Sequence, residues 1–210
     1  MRDEKLEKIA ARLYDAKLKY HNFDHIRYVM EEGNKILKRC QAEGVEIDEA
    51  VVYYAILFHD AGFIENHMSK GFDSKEAYSA DLAAKNLQGN GIDTETIQKV
   101  KQAIMATHVD SLCLTNEDKA VRAADLAGLA VDYAVFKKNT LDLKDELEMM
   151  SGKKVTWKQW KTMAAERVEQ FLREELYLTS DYYNNQGESK FHLNTRNNIK
   201  KLLQDDSEQV

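Results

Sequence analysis

An apolar run, Ala55-Ile56-Leu57-Phe58, leads directly into His59-Asp60, and Gly62 follows two residues later. An imidazole and a carboxylate side by side at the end of an apolar helix have two uses. They can close the helix as a polar cap, or they can supply adjacent ligands to a metal ion. An isolated His-Asp pair favours the cap, so the decision depends on partners elsewhere. His25 falls in the first turn of an earlier expected helix, and Asp125 lies within residues 121–129, which are apolar apart from it and Arg122. A carboxylate in such surroundings is costly unless it is paired or binds a metal. Together His25, His59, Asp60 and Asp125 form a mixed nitrogen and oxygen set that suits a hard or borderline divalent ion. Such a set leaves coordination positions for water and substrate.

These residues need a frame, and the spacing of apolar residues supplies a helical one. Residues 3–18 have helical periodicity. Asn22 or Asp24 caps a second helix that stops near Gly44, and Asp48 caps a third over residues 50–58. That third helix is apolar on nearly every side and therefore belongs at the centre of the fold. Residues 61–73 read as a loop. Ser74 caps the next helix, which Gly89-Asn90-Gly91 ends. Asp93 or Thr94 starts a helix that finishes near His108, and Asn116 caps one reaching Tyr133. Residues 140–150 form a short helix, Thr156 begins a long one to about Leu178, and residues 194–204 form the last, with a fraying acidic end. Trp157 and Trp160 are expected to anchor core packing. No stretch has strand periodicity. The expectation is an all-α helical bundle, with one domain over residues 1–180 and residues 181–210 as an appendage.

Composition narrows the function classes. The chain has 210 residues, a net charge of −6, 43% hydrophobic residues and no proline. The absence of proline is compatible with long helices. Acidic and basic residues are mixed along the chain, which argues against general nucleic-acid binding. No apolar run approaches the roughly 20 residues of a membrane span. The N-terminal residues lack the apolar core of a signal peptide, and a cytoplasmic location is expected. Cys40 and Cys113 are widely separated and read as reduced, structural thiols.

Three motifs carry a family resemblance: Tyr20-His21-Asn22-Phe23-Asp24-His25, Leu57-Phe58-His59-Asp60-Ala61-Gly62 and Arg122-Ala123-Ala124-Asp125-Leu126-Ala127. Their order in a helical chain resembles the HD-domain metal-dependent phosphohydrolases, over roughly residues 15–135. The resemblance implies an HD-type helical bundle with His25, His59, Asp60 and Asp125 as metal ligands. Residues 21–25, His-Asn-x-x-His, are similar to the first motif of cyclic-nucleotide phosphodiesterases in the same superfamily. There the first histidine protonates the leaving oxygen, which would make His21 a catalytic acid. Relatives with two metals use further histidines between the His-Asp pair and the last aspartate, so His108 and His67 are candidates for additional ligands. His192 has no such context and reads as a surface residue. Arg27, Lys70 and Arg122 are the basic candidates for binding phosphate.

The expected activity is hydrolysis of a phosphoester in a nucleotide or other small phosphorylated metabolite. One or two divalent ions (Mn, Fe, Co, Ni, Mg or Zn) would activate water. Asp60 or Asp125 would orient that water, His21 or His108 would protonate the leaving group, and Asp60 could bridge a second ion. Two other readings stay open: a regulatory HD-type module that binds nucleotide or metal without turnover, and a di-iron oxygenase that would need His67 and His108 at the site. The helix beginning at Thr156 packs either within the domain or across a homodimer.

Overall fold

Short polar side chains set the helix starts. Asp3, Asn22, Asp48, Ser74 and Asp93 each accept a hydrogen bond from a backbone N–H in the first turn that follows. Those N–H groups have no partner inside a helix, so each cap removes a cost that burial would otherwise impose. The computed structural model describes residues 2–209. Among them the regular structure is helical, apart from one isolated bridge between Tyr183 and Ser189. The all-α expectation holds.

The contacts divide the chain into two units. The first holds the described residues through Lys17 and from His21 to Asp125. The second holds Leu18–Tyr20 and the described residues from Leu126 onward. The division falls at Asp125. The last helix packs on its neighbours within the second unit.

The first unit contains α1 (Glu4–Ala10), α2 (Phe23–Glu43), α3 (Glu49–Phe58), α4 (Lys75–Gln88), α5 (Thr94–Met105) and α6 (Asn116–Asp125). Helix α3 is the centre: every residue from Val51 to Phe58 is buried, and α2, α4, α5 and α6 all pack on it. Helix α2 ends where Gly44 takes a left-handed conformation at φ 69°. α1 is shorter than its periodicity suggests, tightening into a 3-10 turn over Ala11–Leu13. α6 begins at Asn116 itself, so the cap falls one residue earlier than expected, on Thr115. The hydroxyl of Thr115 accepts from Asp118 N at 3.2 Å, and the Asn116 side chain instead donates to Glu46 O at 2.8 Å.

The larger departure follows α6. The sequence suggests one helix from Asn116 to Tyr133 and a short one over 140–150. The helix stops at Asp125, a 3-10 turn covers Leu126–Leu129, and Asp132 caps α7 (Tyr133–Ser151). The apolar period runs on through residues 126–130 and hides the break. In the second unit, α8 (Trp157–Phe171) starts with a capping box between Thr156 and Gln159, and α9 (Lys190–Gln204) starts at Ser189. Trp157 and Trp160 pack with Phe136 and Leu202 in its core.

The acidic end does not fray as expected. Lys137 Nζ lies 2.9 Å from Asp205 Oδ2, Lys144 Nζ 2.8 Å from Glu208 Oε1, and Lys161 Nζ 2.8 Å from Asp205 O. His192 is also buried, contrary to the surface expectation. Its Nε2 donates to Leu172 O at 3.1 Å, and Ser189 Oγ lies 2.8 Å from its Nδ1.

Two predictions concern this framework. The Lys144 ammonium, the Lys154 ammonium and the Val155 N–H hold the Glu148 carboxyl down at about 2, below its usual 4.5. A carboxyl lowered on folding contributes stability above its unfolded value and loses it as pH falls through the folded one. Glu148→Gln should therefore flatten the loss of helical circular dichroism between pH 4.5 and about 2. The second concerns Gly62: a Cβ there would lie 2.5 Å from Tyr78 Cδ1 and 3.3 Å from Ser79 N. Gly62→Ala should cost about 1–3 kcal/mol by overpacking, read as a lower Tm; an unchanged Tm would show that the Tyr78 ring can yield.

Candidate metal centre

The ends of three helices bring the four ligand candidates together. His25 is in the first turn of α2, where Asn22 Oδ1 accepts from its backbone N at 3.2 Å. His59 caps the C-terminus of α3, and Asp60 follows it. Asp125 is the last residue of α6. One ligand atom from each of these residues lies within 4.8 Å of the others. His25, His59 and Asp60 are buried, while the side chain of Asp125 keeps 21% exposure. The group is therefore a buried cluster with one partly open side.

Helix α3 ends in buried surroundings, so its last carbonyls need donors. His59 Nδ1 lies 2.8 Å from Ile56 O, and Tyr14 Oη donates to Leu57 O at 2.9 Å. A carbonyl can only accept, so the His59 proton is on Nδ1. In the neutral ring, Nε2 then presents a lone pair. That atom lies 3.2 Å from Asp60 Oδ2 and 3.3 Å from Asp125 Oδ1, and it makes no hydrogen bond of acceptable geometry to either. His25 Nε2 is 3.6 Å from Asp125 Oδ1 and 3.8 Å from Asp60 Oδ2.

A lone pair facing two carboxylate oxygens in a buried site is repulsive unless a positive charge lies among them. The electrostatics agree. Burial pushes the His59 imidazole down, but the Asp60 and Asp125 carboxylates outweigh it and raise it well above its ordinary value. Burial pushes Asp60 up, yet the Lys75 ammonium and His59 hold it well below the usual range. Asp125 is likewise lowered, with His59 and His25 overcoming burial. The carboxylates thus favour a charged imidazole, and the imidazole and the ammonium favour ionised carboxylates. The donor set fits a divalent metal ion, and the Nδ1 bond to a backbone carbonyl is the usual device that orients a ligating histidine. The group could hold a metal ion.

His21 adjoins the cluster. Its ring stacks on Phe63 with centroids 3.6 Å apart and planes 17° from parallel, and its centroid is 6.0 Å from that of His25. His67 and His108 are not members of the four-residue group. His67 begins a 3-10 turn that ends at Lys70, and His108 Nδ1 accepts from Asp110 N at 3.3 Å in the turn after α5.

The three basic candidates have protein partners. Arg27 pairs with Asp24 at 2.5 Å and lies over the Phe23 ring, and Lys70 pairs with Glu65 at 2.7 Å. Arg122 is buried, and its guanidinium donates to Ser111 O, His108 O and Val109 O. It ties the turn after α5 to α6, a structural task.

The cation that does meet the cluster is Lys75, which sequence reasoning missed. It is the first residue of α4, and its Nζ lies 2.8 Å from Asp60 Oδ1, 3.4 Å from Glu76 Oε1 and 5.3 Å from the centroid of the Phe63 ring. Ser74 marked the helix start but nothing distinguished this lysine among 30 basic residues. Phe63 was missed too, as one residue of an apparently plain loop.

No family model, no curated protein and no solved structure matches this chain. The class that fold and site define is therefore a helical protein with a His/Asp cluster able to hold a metal, compatible with an HD-type domain. No helix among the described residues is long and apolar enough to cross a membrane.

Metal binding to the folded site should raise stability. At about 100 times its dissociation constant, an ion that binds only the native state adds about 2.7 kcal/mol. Titration of chelator-treated protein with Mn²⁺ or Co²⁺ should raise Tm, and His59→Ala and Asp125→Asn should abolish the rise. An equal rise in both variants would place the ion elsewhere.

Proposed function

We propose that this chain is an HD-type metal-dependent phosphohydrolase acting on a phosphoester of a nucleotide or another small phosphorylated metabolite. One observation carries the reading: His25, His59, Asp60 and Asp125, named from the sequence for their resemblance to that family's ligands, lie within 4.8 Å of one another. The order His, His-Asp, Asp and the helical architecture support the same assignment. A divalent ion in such a set supplies Lewis acidity, lowering the pKa of ligated water and polarising a phosphoryl oxygen.

The chain's own residues have separate tasks in this reading. His25, His59, Asp60 and Asp125 hold the ion. The carboxylate of Asp125, the most exposed of the four, orients water at the open side. His21 lies next to this cluster on the face of Phe63 and protonates the leaving oxygen. Lys75 adds a fixed positive charge beside Asp60 where an anionic substrate must approach. The oxygenase alternative needed His67 and His108 as further ligands, and the four-residue group includes neither.

A panel of phosphomonoesters and phosphodiesters, assayed with the ion that co-purifies, tests this. Turnover should require the metal and be lost in His59→Ala and Asp60→Ala. His21→Ala should lower kcat by about 10²–10⁴ on an alkyl ester and far less on a nitrophenyl ester, whose leaving group needs no proton. Full hydrolysis by His59→Ala would sink the assignment. Bound metal with no turnover across the panel would favour a regulatory module instead.

A further inference from the structure

We propose that the cluster is built for one divalent ion, because the Lys75 ammonium holds the place of a second. This rests on the metal-site half of the functional reading and is independent of turnover. The two oxygens of Asp60 face different partners. Oδ2 lies 3.2 Å from His59 Nε2 and 3.8 Å from His25 Nε2, on the ligand cluster. Oδ1 lies 2.8 Å from Lys75 Nζ. A second ion sharing Asp60 as a bridge would have to take Oδ1, and that oxygen already has a cation.

The surroundings of the ammonium agree. The buried Glu76 carboxylate, which a second ion could recruit, lies 3.4 Å from the same Nζ. Two carboxylate oxygens thus converge on Lys75 as they would on a metal. The Phe63 ring, 5.3 Å from Nζ, adds a cation–π contact on a side chain that is only 34% exposed. An ion entering here must displace the lysine from these partners or stay beside it against direct repulsion. The repulsion between an ammonium and a divalent ion at contact distance is twice that of two unit charges and is weakly screened in a partly buried site.

Formal charge leads to the same count. Asp60, Asp125 and Glu76 carry three negative charges and Lys75 one positive charge. One divalent ion neutralises the group, and a second would leave two uncompensated positive charges in a mostly buried site. Desolvated excess charge is what buried sites avoid. The histidines that might have enlarged the ligand set, His67 and His108, lie outside the group.

The test is the number of Mn²⁺ ions bound per chain, by calorimetric titration and elemental analysis after dialysis, with electron paramagnetic resonance to detect coupling between neighbouring ions. We expect one ion per chain and an uncoupled signal. Lys75→Glu, which replaces the ammonium with a further carboxylate, should bind two ions with a coupled signal. Two coupled ions in the unaltered protein would overturn this inference and leave the metal-site reading standing. No bound ion would overturn both. A well-folded Lys75→Glu protein that still binds one ion would show that the ammonium does not set the count, and would also overturn it.

Discussion

The hydrogen bond between His59 Nδ1 and Ile56 O, 2.8 Å long, is the constraint on which the site depends. It ties an active nitrogen geometry to a helix end. Because the carbonyl accepts, the other ring nitrogen is the one available to a metal, and it points among the carboxylates of Asp60 and Asp125. The same bond answers a problem of the fold. A central helix with all of Val51–Phe58 buried exposes no solvent at its end, and its last carbonyls would be left bare. His59 and Tyr14 cover two of them. The residue that the helix needs as a terminal donor also turns its second ring nitrogen into the cluster.

This coupling explains why ligands sit at helix ends. A side chain inside a helix points along a stripe set by its neighbours, and only one stripe can face a given point. An end can be aimed by its cap or by the turn beyond it. Asn22 fixes the start of α2 and so the position of His25. The turn after α3, in which Gly62 N donates to Ser79 Oγ at 3.0 Å, fixes Asp60 relative to α4. The stop of α6 at Asp125 leaves a carboxylate at a terminus rather than within a continuous apolar face. Three termini with separate supports can converge on one volume, and the packing of α2, α3 and α6 on one another sets the distances between them.

Much of this was legible in the chain. Asn22, Asp48, Ser74 and Thr156 are short polar residues before apolar periods, and each begins a helix. The unbroken apolar character of residues 50–58 marked the central helix. The cluster residues were legible because each is out of place without partners: a His-Asp pair after an apolar run, and an aspartate among alanines and leucines. What was hidden is of two kinds. The break after Asp125 was invisible because Leu126 and Leu129 continue the apolar period through a 3-10 turn. Lys75 was passed over, and the burial of Arg122 and His192 was hidden, because charge suggests surface, whereas each has partners contributed by residues distant in sequence. Arg122 meets carbonyls from residues 108–111, and His192 meets Leu172 O. Nothing local to either residue reports such partners.

Phe63 shows how far a single apolar side chain can organise polar chemistry. One ring stacks on His21 and also lies against the Lys75 ammonium. Stacking restricts the imidazole to a plane without consuming its nitrogens, and the quadrupole of the ring attracts a cation without neutralising it. A carboxylate in the same place would add a third negative charge around an ammonium that Asp60 and Glu76 already flank. One aromatic ring thus contacts both the histidine and the lysine. The position of Phe63, three residues after Asp60 in the turn whose Phe63 N–H donates to Asp60 O at 3.0 Å, makes this ordering part of the same short segment that supplies the ligands.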